Sequence, residues 1–205
     1  MTAIIDYGVG NLFSLRSSLA ALKEEAVVTA EREELLRADR IILPGVGAFR
    51  DAMEKLKATG LIPALKEAAA KGTPILGICL GMQLLFEKSY EYGEHEGLGF
   101  LKGVVAPIPV TDGIKIPHMG WNSLSFGEKK HPLFRYLDEG DYVYFVHSYA
   151  ATNCDDVVIA RTEYGSLVTA AAAKKNVMGC QFHPEKSGDV GLLILKAFCE
   201  MKEGA

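Results

Sequence analysis

Gly77-Ile78-Cys79-Leu80-Gly81 is the stretch of sequence that decides how this chain folds. It follows a mostly apolar run, residues 73–78, which is typical of a buried strand in a parallel sheet. An amphipathic pattern after it predicts a helix that begins over residues 82–87. A cysteine between two glycines at such a junction matches the nucleophile elbow, with sulfur in place of oxygen. The glycines are expected because the sharp turn brings backbone close on both sides and strains the central residue.

The elbow would place the sulfur of Cys79 at a helix N-terminus, where the helix dipole and free N–H groups favour a thiolate. That effect is typically about 0.3–1 kcal/mol, less than one pKa unit. Because a free thiol ordinarily titrates near pH ~8.5, a reactive cysteine also needs a basic partner. The pentapeptide therefore predicts a histidine elsewhere in the chain. The alternative is that Cys79 is a small buried side chain at a strand end, which is the usual role of cysteine.

His183 is the best candidate for that basic partner. It follows an apolar stretch, residues 177–182, and precedes Pro184 and Glu185. Proline disfavours helix in the residue before it, and residues i and i+2 of an extended chain point the same way. Glu185 would then hold one imidazole nitrogen while the other faces the sulfur, as a catalytic triad requires. The alternative is a strand-end histidine beside an exposed glutamate, since 104 residues separate His183 from the cysteine.

Length and composition favour one globular domain, residues 1–205. The apolar fraction is 49%, the net charge is −4 and no Lys/Arg-rich run occurs, so nucleic-acid binding lacks an electrostatic basis. The sequence shows neither a signal peptide nor an apolar run of roughly eighteen residues, so we expect no membrane span. Its four scattered cysteines lack zinc-ligand spacing. We therefore expect no metal, no cofactor and a reducing, cytoplasmic setting.

The order of the predicted elements indicates the fold class. Strands and helices alternate through residues 3–87, which predicts an open, mostly parallel α/β sheet flanked by helices. Ligands of such sheets bind beyond the carboxyl ends of the strands, where the Pro44-Gly45-Val46-Gly47 loop and the cysteine elbow both lie. The second half predicts a mixed or antiparallel portion, with strands over 104–110, 121–126, 142–149, 157–162, 167–172 and 177–182 and a closing helix over 187–202.

Together these motifs resemble the class I, triad-type glutamine amidotransferases, and the resemblance covers essentially the whole chain. It rests on the elbow with Gln83 and on the distant His183-Pro184-Glu185 segment. The resemblance implies that Cys79 attacks the side-chain amide of glutamine while His183 moves the proton and Glu185 orients the imidazole. Water would then release glutamate from the thioester.

The resemblance also implies the rest of the site. The N–H of Leu80 would be one donor to the tetrahedral oxyanion, and Val46 and Gly47 would supply the second from a loop that acts as a switch. The alternative for that loop is a tight turn after its strand. The two ends of the substrate would be held by three residues, Gln83, Ser148 and Tyr149.

Three further stretches resemble family members that deliver ammonia to a (β/α)8-barrel cyclase in histidine biosynthesis: Asp6-Tyr7-Gly8-Val9-Gly10-Asn11, Pro44-Gly45-Val46-Gly47-Ala48-Phe49 and Pro117-His118-Met119-Gly120-Trp121-Asn122. The resemblance implies a heterodimer with such a cyclase, because ammonia released into neutral water becomes unreactive ammonium. The candidate contact residues are Asn11, Met119, Trp121 and Asn122. Trp121, the one tryptophan, is alternatively a core side chain.

Three other functions stay open from sequence. The first is a glutaminase subunit that serves pyridoxal phosphate, anthranilate or guanylate synthesis. The second is an α/β-hydrolase with a cysteine nucleophile, although that fold usually places its acid between nucleophile and histidine. The third is a regulatory module that has kept the fold without the chemistry.

Overall fold

The computed structural model describes residues 1–109, 113–127 and 129–202. Its helices are α1 Leu12–Ala21, α2 Arg32–Arg37, α3 Phe49–Ala58, α4 Ile62–Lys71, α5 Leu80–Leu84 and α6 Gly188–Cys199. Its strands are β1 Thr2–Ile5, β2 Ala26–Thr29, β3 Arg40–Leu43, β4 Ile75–Ile78, β5 Phe86–Ser89, β6 His95–Glu96, β7 Leu101–Pro107, β8 His118–Ser123, β9 Ser125–Phe126, β10 Tyr142–His147, β11 Tyr149–Thr152, β12 Val158–Glu163, β13 Leu167–Lys174 and β14 Val177–Cys180.

An eight-stranded sheet with the order β2-β1-β3-β4-β14-β13-β12-β9 forms the centre of the structure. The strands from β2 to β14 in that order run parallel, and β13, β12 and β9 add antiparallel pairs at one side. Two smaller sheets, β10-β8 and β11-β7-β5-β6, complete the second half. The predicted fold class, a mostly parallel α/β sheet with a mixed C-terminal portion, is confirmed.

The parallel strands are mostly apolar because helices cover both faces of the sheet. Successive side chains of a strand point to opposite faces. Thus Ile41 and Leu43 pack in one core with residues of α2, α3 and α4, whereas Ile42 packs in the other with Leu15 of α1 and Phe198 of α6. This sandwich leaves the carboxyl ends of the strands as the edge at which a site is built.

The pairing of β4 with β14 brings the two distant motifs together. The strands are parallel, with Gly77 opposite Gly179 and Ile78 opposite Cys180. The N–H of Cys79 donates to the carbonyl of Cys180 at 2.8 Å, so the pairing continues to the last residue of β14 and one residue past the end of β4. The segments that follow β4 and β14 therefore emerge side by side, although about a hundred residues separate them in sequence.

Several predicted elements are shorter or divided in the structure, and two of them adjoin the cysteine elbow or the cavity residues Ser148 and Tyr149. The helix predicted to begin over 82–87 is the five-residue α5, and the chain is already extended in β5, where Phe86 pairs in parallel with Leu101. The strand predicted over 142–149 is broken at Ser148, because β10 pairs with β8 and β11 pairs with β7 in a different sheet. The local sequence does not indicate which strands β5, β10 and β11 pair with.

Other predicted elements also differ. The strand predicted over 121–126 is divided at Leu124 between β8 and β9, and the one predicted over 177–182 ends at Cys180. The strand predicted over 104–110 begins at Leu101 and ends at Pro107, and Val110 lies outside the described residues. The closing helix begins at Gly188 and ends at Cys199 rather than running over 187–202.

Candidate active site

The backbone at Cys79 has the strained geometry expected of a nucleophile elbow. Its φ is +54°, a value that non-glycine residues rarely adopt. A Cβ added to Gly81 would lie 1.9 Å from the carbonyl oxygen of Leu43, and one added to Gly77 would lie 2.7 Å from the oxygen of Gly81. Both positions therefore require glycine, because no side chain fits so close to backbone.

The sulfur of Cys79 opens into a cavity of about 580 Å³, which is in the size range of small-molecule sites. His183 lines the same cavity, so the structure brings the two residues together. The predicted oxyanion and substrate residues also line it: Val46, Gly47, Leu80, Gln83, Ser148 and Tyr149. Because α5 has only five residues, the environment of the sulfur depends mainly on these neighbours rather than on a helix dipole.

Glu185 lies behind His183 and bonds to its imidazole. The Nδ1 of His183 is 2.8 Å from Oε1 of Glu185, and the two side chains are 3% and 1% exposed. Burial, the largest single influence, lowers the pKa of His183, but hydrogen bonds with Cys79 and Glu185 and the negative charges of these two groups together outweigh it and raise the pKa to about 9. The imidazole therefore carries a proton near neutral pH, which it can give to a departing amine.

Ser187 holds the backbone that carries His183. Its hydroxyl donates to the carbonyl of His183 at 2.7 Å and accepts from the N–H of Tyr144 at 2.9 Å. The N–H of His183 in turn donates to the carbonyl of Tyr144 at 2.9 Å. Ser187 stands at the N-cap position of α6, but its side chain makes no capping bond there. It fastens the histidine segment to β10 instead.

Gln83 is buried against the start of β11 as well as lining the cavity. Its Nε2 donates to the carbonyl of Tyr149 at 3.0 Å and to Oε1 of Gln181 at 3.1 Å. The Nε2 of Gln181 is 3.7 Å from the sulfur of Cys79. Sequence reasoning missed Gln181, although it precedes His183 by two residues. The i, i+2 argument that selected Glu185 applies equally on that side of the histidine.

The Pro44–Gly47 loop packs directly on the elbow. A Cβ added to Gly45 would lie 2.7 Å from the N–H nitrogen of Gly81, and Gly47 has a φ of +97°. The loop and the N-terminus of α5 thus border the sulfur from two sides. Donation to an oxyanion from Val46, Gly47 and Leu80 stays a prediction.

Comparison with known proteins identifies the family. The sequence model of the family Glutamine amidotransferase class-I matches residues 3–200. The HisH subunit of imidazole glycerol phosphate synthase from Lactococcus lactis is 55% identical over 198 residues, which cover 96% of each chain. The HisH subunit from Sulfurimonas denitrificans is 52% identical, over 98% of this chain and 99% of the relative. A crystal structure described as a glutamine amidotransferase has a TM-score of 0.73 at 20% identity, over 96% of this chain and 98% of that one, and this likeness shows the fold.

The chain belongs to the class I glutamine amidotransferase family. The family predicted from the elbow and the His-Pro-Glu segment is confirmed, and so is the enzyme class. Within the family the relatives carry the HisH name, which agrees with the three further stretches noted in the sequence. The match leaves no reason to retain the α/β-hydrolase alternative.

A second histidine, His147, also lines the cavity of this amidotransferase, but both of its ring nitrogens are engaged. Nδ1 is 2.8 Å from the carbonyl of Tyr149, and Nε2 is 3.0 Å from Nδ1 of the buried His118. Burial lowers the pKa of His147 to about 4. It is therefore neutral near pH 7 and supports the Tyr149 backbone, whereas His183 remains free to face the sulfur.

The four predicted contact residues of the amidotransferase fall into two pairs. Met119 and Trp121 on β8 are 60% and 52% exposed, so Trp121 is not a core side chain. Asn11 accepts from the N–H of Ser14 and caps α1, and Asn122 donates to the carbonyl of Glu163. The side chains of Met119 and Trp121 are thus exposed for binding. Those of Asn11 and Asn122 already bond backbone groups of this chain. Contact with a partner stays a prediction for all four.

No three His, Cys, Asp or Glu side chains cluster closely enough to hold a metal ion within the described residues. In the same part of the chain, the longest apolar helices fall short of what is needed to cross a membrane.

Proposed function

We propose that this HisH-type chain hydrolyses glutamine with Cys79, His183 and Glu185 and passes the ammonia to a (β/α)8-barrel cyclase subunit of imidazole glycerol phosphate synthase. One observation carries the proposal: a strained, cavity-facing cysteine shares its pocket with His183, whose imidazole is bonded to the buried Glu185, in a chain about half identical to HisH subunits. The proposed setting is the cytoplasm, and the proposed unit is a single domain over residues 1–205.

In the first step the thiolate of Cys79 attacks the amide carbon of glutamine and forms a C–S bond. The carbonyl electrons move to oxygen, and the tetrahedral oxyanion is stabilised by backbone N–H groups of Leu80 and of the Val46–Gly47 peptide region. The imidazolium of His183 then gives its proton to the nitrogen, the C–N bond breaks and ammonia leaves. Glu185 keeps the imidazole oriented and stabilises its positive charge.

In the second step water replaces ammonia. Neutral His183 takes a proton from water, and the resulting hydroxide attacks the thioester carbon. The second tetrahedral intermediate collapses with cleavage of the C–S bond, which releases glutamate and restores the thiolate–imidazolium pair. Both intermediates place negative charge at the same oxygen, so one oxyanion hole serves both steps.

The cavity has features suited to the two ends of glutamine. Glu91 is the one acidic side chain among the described residues that line it, and its carboxylate accepts from the N–H of Phe49 at the start of α3. We propose that Glu91 pairs with the substrate ammonium. Gln83 and the Ser148–Tyr149 backbone, which also line the cavity, are proposed to hold the α-amino and carboxylate ends of the substrate together with Glu91.

The experiment that tests the chemistry uses the chain together with its cyclase subunit. Cys79→Ala and His183→Ala are each expected to lower glutaminase kcat by at least about a thousandfold, because each removes a group that makes or breaks a bond. Cys154→Ala is the matched control, since this buried thiol lies outside the cavity lining. Retained glutamate release in either triad variant would show that the triad is wrong.

The partner is tested with the same proteins. We expect glutamate release to be slow in the isolated chain and to rise when the cyclase carries its own substrate. Copurification of the chain with a pyridoxal phosphate, anthranilate or guanylate synthase subunit would instead support the nearest alternative. Failure of a glutamine-like electrophile to alkylate Cys79, with or without the cyclase, would support a regulatory module.

A further inference from the structure

The phenol of Tyr7 makes a hydrogen bond that the proposed mechanism has not used. Tyr7 follows β1 and is 4% exposed. Its hydroxyl donates to the carbonyl oxygen of Pro44 at 2.6 Å in a buried position. Pro44 opens the loop that contains Val46 and Gly47, so this bond reaches the loop at its first peptide. Tyr7 itself is not among the described residues that line the cavity.

The Pro44–Gly45 peptide is enclosed on three sides. A Cβ added to Gly45 would lie 2.9 Å from the Tyr7 hydroxyl and 2.7 Å from the nitrogen of Gly81 in the elbow. From a third direction, a Cβ added to Gly10 would lie 2.8 Å from Cβ of Pro44. Two of these contacts are steric, and the phenol supplies a directional hydrogen bond.

A hydrogen bond to the Pro44 carbonyl restricts the orientation of the whole peptide group as well as the position of the oxygen. The peptide is planar, so holding the Pro44 carbonyl also fixes the direction of the Gly45 N–H and the starting direction of the loop. An oxyanion donor acts only when it lies about 2.7–3.1 Å from the position that the developing charge will occupy. A small rotation of this peptide would therefore move the following N–H groups out of range.

We propose that Tyr7 is a positioning residue for glutamine hydrolysis, whose hydroxyl holds the Pro44 carbonyl and so orients the Pro44–Gly47 loop toward the oxyanion. This inference rests on the proposed glutaminase function. Burial and, to a lesser extent, the proximity of Cys79 raise the pKa of Tyr7. The phenol thus stays protonated throughout the working pH range and remains a hydrogen-bond donor to the carbonyl.

The test compares Tyr7→Phe with the wild type, each as the full chain in complex with the cyclase subunit. The variant removes one oxygen and keeps the ring. We expect kcat for glutamine hydrolysis to fall about tenfold, because the free energy of one buried hydrogen bond is lost from loop orientation. KM for glutamine is expected to stay within about twofold, since the ground-state contacts are unchanged.

Alkylation of Cys79 by iodoacetamide separates loop orientation from thiol reactivity. Displacement of iodide forms no tetrahedral oxyanion, so the alkylation rate of Tyr7→Phe should stay within about twofold of wild type. The labelled fraction is read by mass spectrometry of the Cys79 peptide, and denaturant unfolding checks that both proteins are folded. Tyr136→Phe is the matched control, because its hydroxyl bonds Glu200 on the surface outside the cavity lining.

The outcomes distinguish whether the Tyr7 hydroxyl orients the Pro44–Gly47 loop. An unchanged kcat in Tyr7→Phe overturns the inference while leaving the glutaminase proposal intact. Equal losses of kcat and alkylation rate, or an equal loss in Tyr136→Phe, also overturn it, because the effect would then not be specific to the oxyanion. A wild-type complex without glutaminase activity would overturn the proposed function and this inference with it.

Discussion

The imidazole of His183 is the group whose charge the proposed reaction uses. Its pKa of about 9 reflects a balance in which burial opposes, and hydrogen bonds with Cys79 and Glu185 favour, the protonated form. The proton is needed when ammonia leaves, so activity should fall as pH rises through the pKa. The alkaline limb of the rate therefore reports on this residue.

Glu185→Gln should move that alkaline limb toward lower pH. The amide can still accept a hydrogen bond from Nδ1, but it no longer supplies the negative charge that favours imidazolium, so the pKa of His183 falls. We expect a shift of about one pH unit or more in the midpoint of the alkaline limb of kcat/KM. Glu163→Gln, on the surface at the end of β12, is the control. An unmoved midpoint would mean that Glu185 does not set the charge of the histidine.

At the residue scale, the sequence predicted those candidate site residues that are close to one another in sequence or that lie at the ends of neighbouring strands. Cys79 was found through its glycines, and Glu185 through its spacing from His183. Tyr7, Gln181 and Ser187 were not found, because each acts through a neighbour far away in sequence: the Pro44 carbonyl, the Cys79 sulfur and the Tyr144 backbone respectively. The i, i+2 spacing from His183 could have pointed to Gln181. No local pattern marks the contacts of Tyr7 and Ser187.

At the scale of elements, the side chain of Ser187 supports the backbone of the segment between β14 and α6, together with the bond from the His183 N–H to Tyr144. Ser187 is 1% exposed and bonds both the His183 carbonyl and the Tyr144 N–H. Ser187→Ala leaves both backbone groups buried without this partner, which should lower the free energy of unfolding by about 1–3 kcal/mol. It should also lower kcat, because His183 then loses part of its support. Denaturant unfolding and steady-state kinetics measure the two effects.

The matched control for the serine is Ser125→Ala. Ser125 is exposed, and its hydroxyl donates to the carbonyl of Arg161 on the surface. Its removal should change the free energy of unfolding by less than about 0.5 kcal/mol. Equal effects of the two substitutions would mean that the bonds of Ser187 do not hold the histidine segment.

Helices and strands were predictable where the local hydrophobic pattern alone decides the secondary structure. Buried parallel strands such as β3 and β4 are continuous apolar runs, and a βαβ order leaves few topologies open. Prediction failed where the partner strand decides the outcome. The break at Ser148 arises because β10 and β11 belong to different sheets, and β5 replaces the end of a predicted helix by pairing with β7.

At the scale of the whole molecule, the exposed apolar pair on β8, Met119 and Trp121, is separated from His183 by the single strand β10. Trp121 pairs with Tyr144 across β8 and β10, and their rings meet edge to face with centroids 6.0 Å apart. The carbonyl of Tyr144 accepts from the N–H of His183. A partner that binds Met119 and Trp121 would therefore lie next to β10, the strand whose Tyr144 carbonyl bonds the backbone of His183.

Trp121→Ala tests whether that surface is the docking site. Large aromatic side chains dominate interface energies, so we expect the Kd for the cyclase subunit to rise at least about thirtyfold, corresponding to about 2 kcal/mol. The free energy of unfolding should change little, because the ring is half exposed. Basal glutaminase activity of the isolated chain should be unchanged. Activation should be lost at low cyclase concentration and recovered at saturating concentration.

Tyr136→Ala provides the comparison for removing an exposed ring elsewhere. Tyr136 is 40% exposed and bonds Glu200, which follows the far end of α6 from the histidine segment. Its loss should leave the Kd for the cyclase within about twofold, since a ring outside the interface contributes nothing to binding. Equal weakening by Trp121→Ala and Tyr136→Ala, or none by either, would place the cyclase on another face. Activation that saturating cyclase failed to restore would instead show that Trp121 acts beyond docking, on the β10 strand and through it on His183.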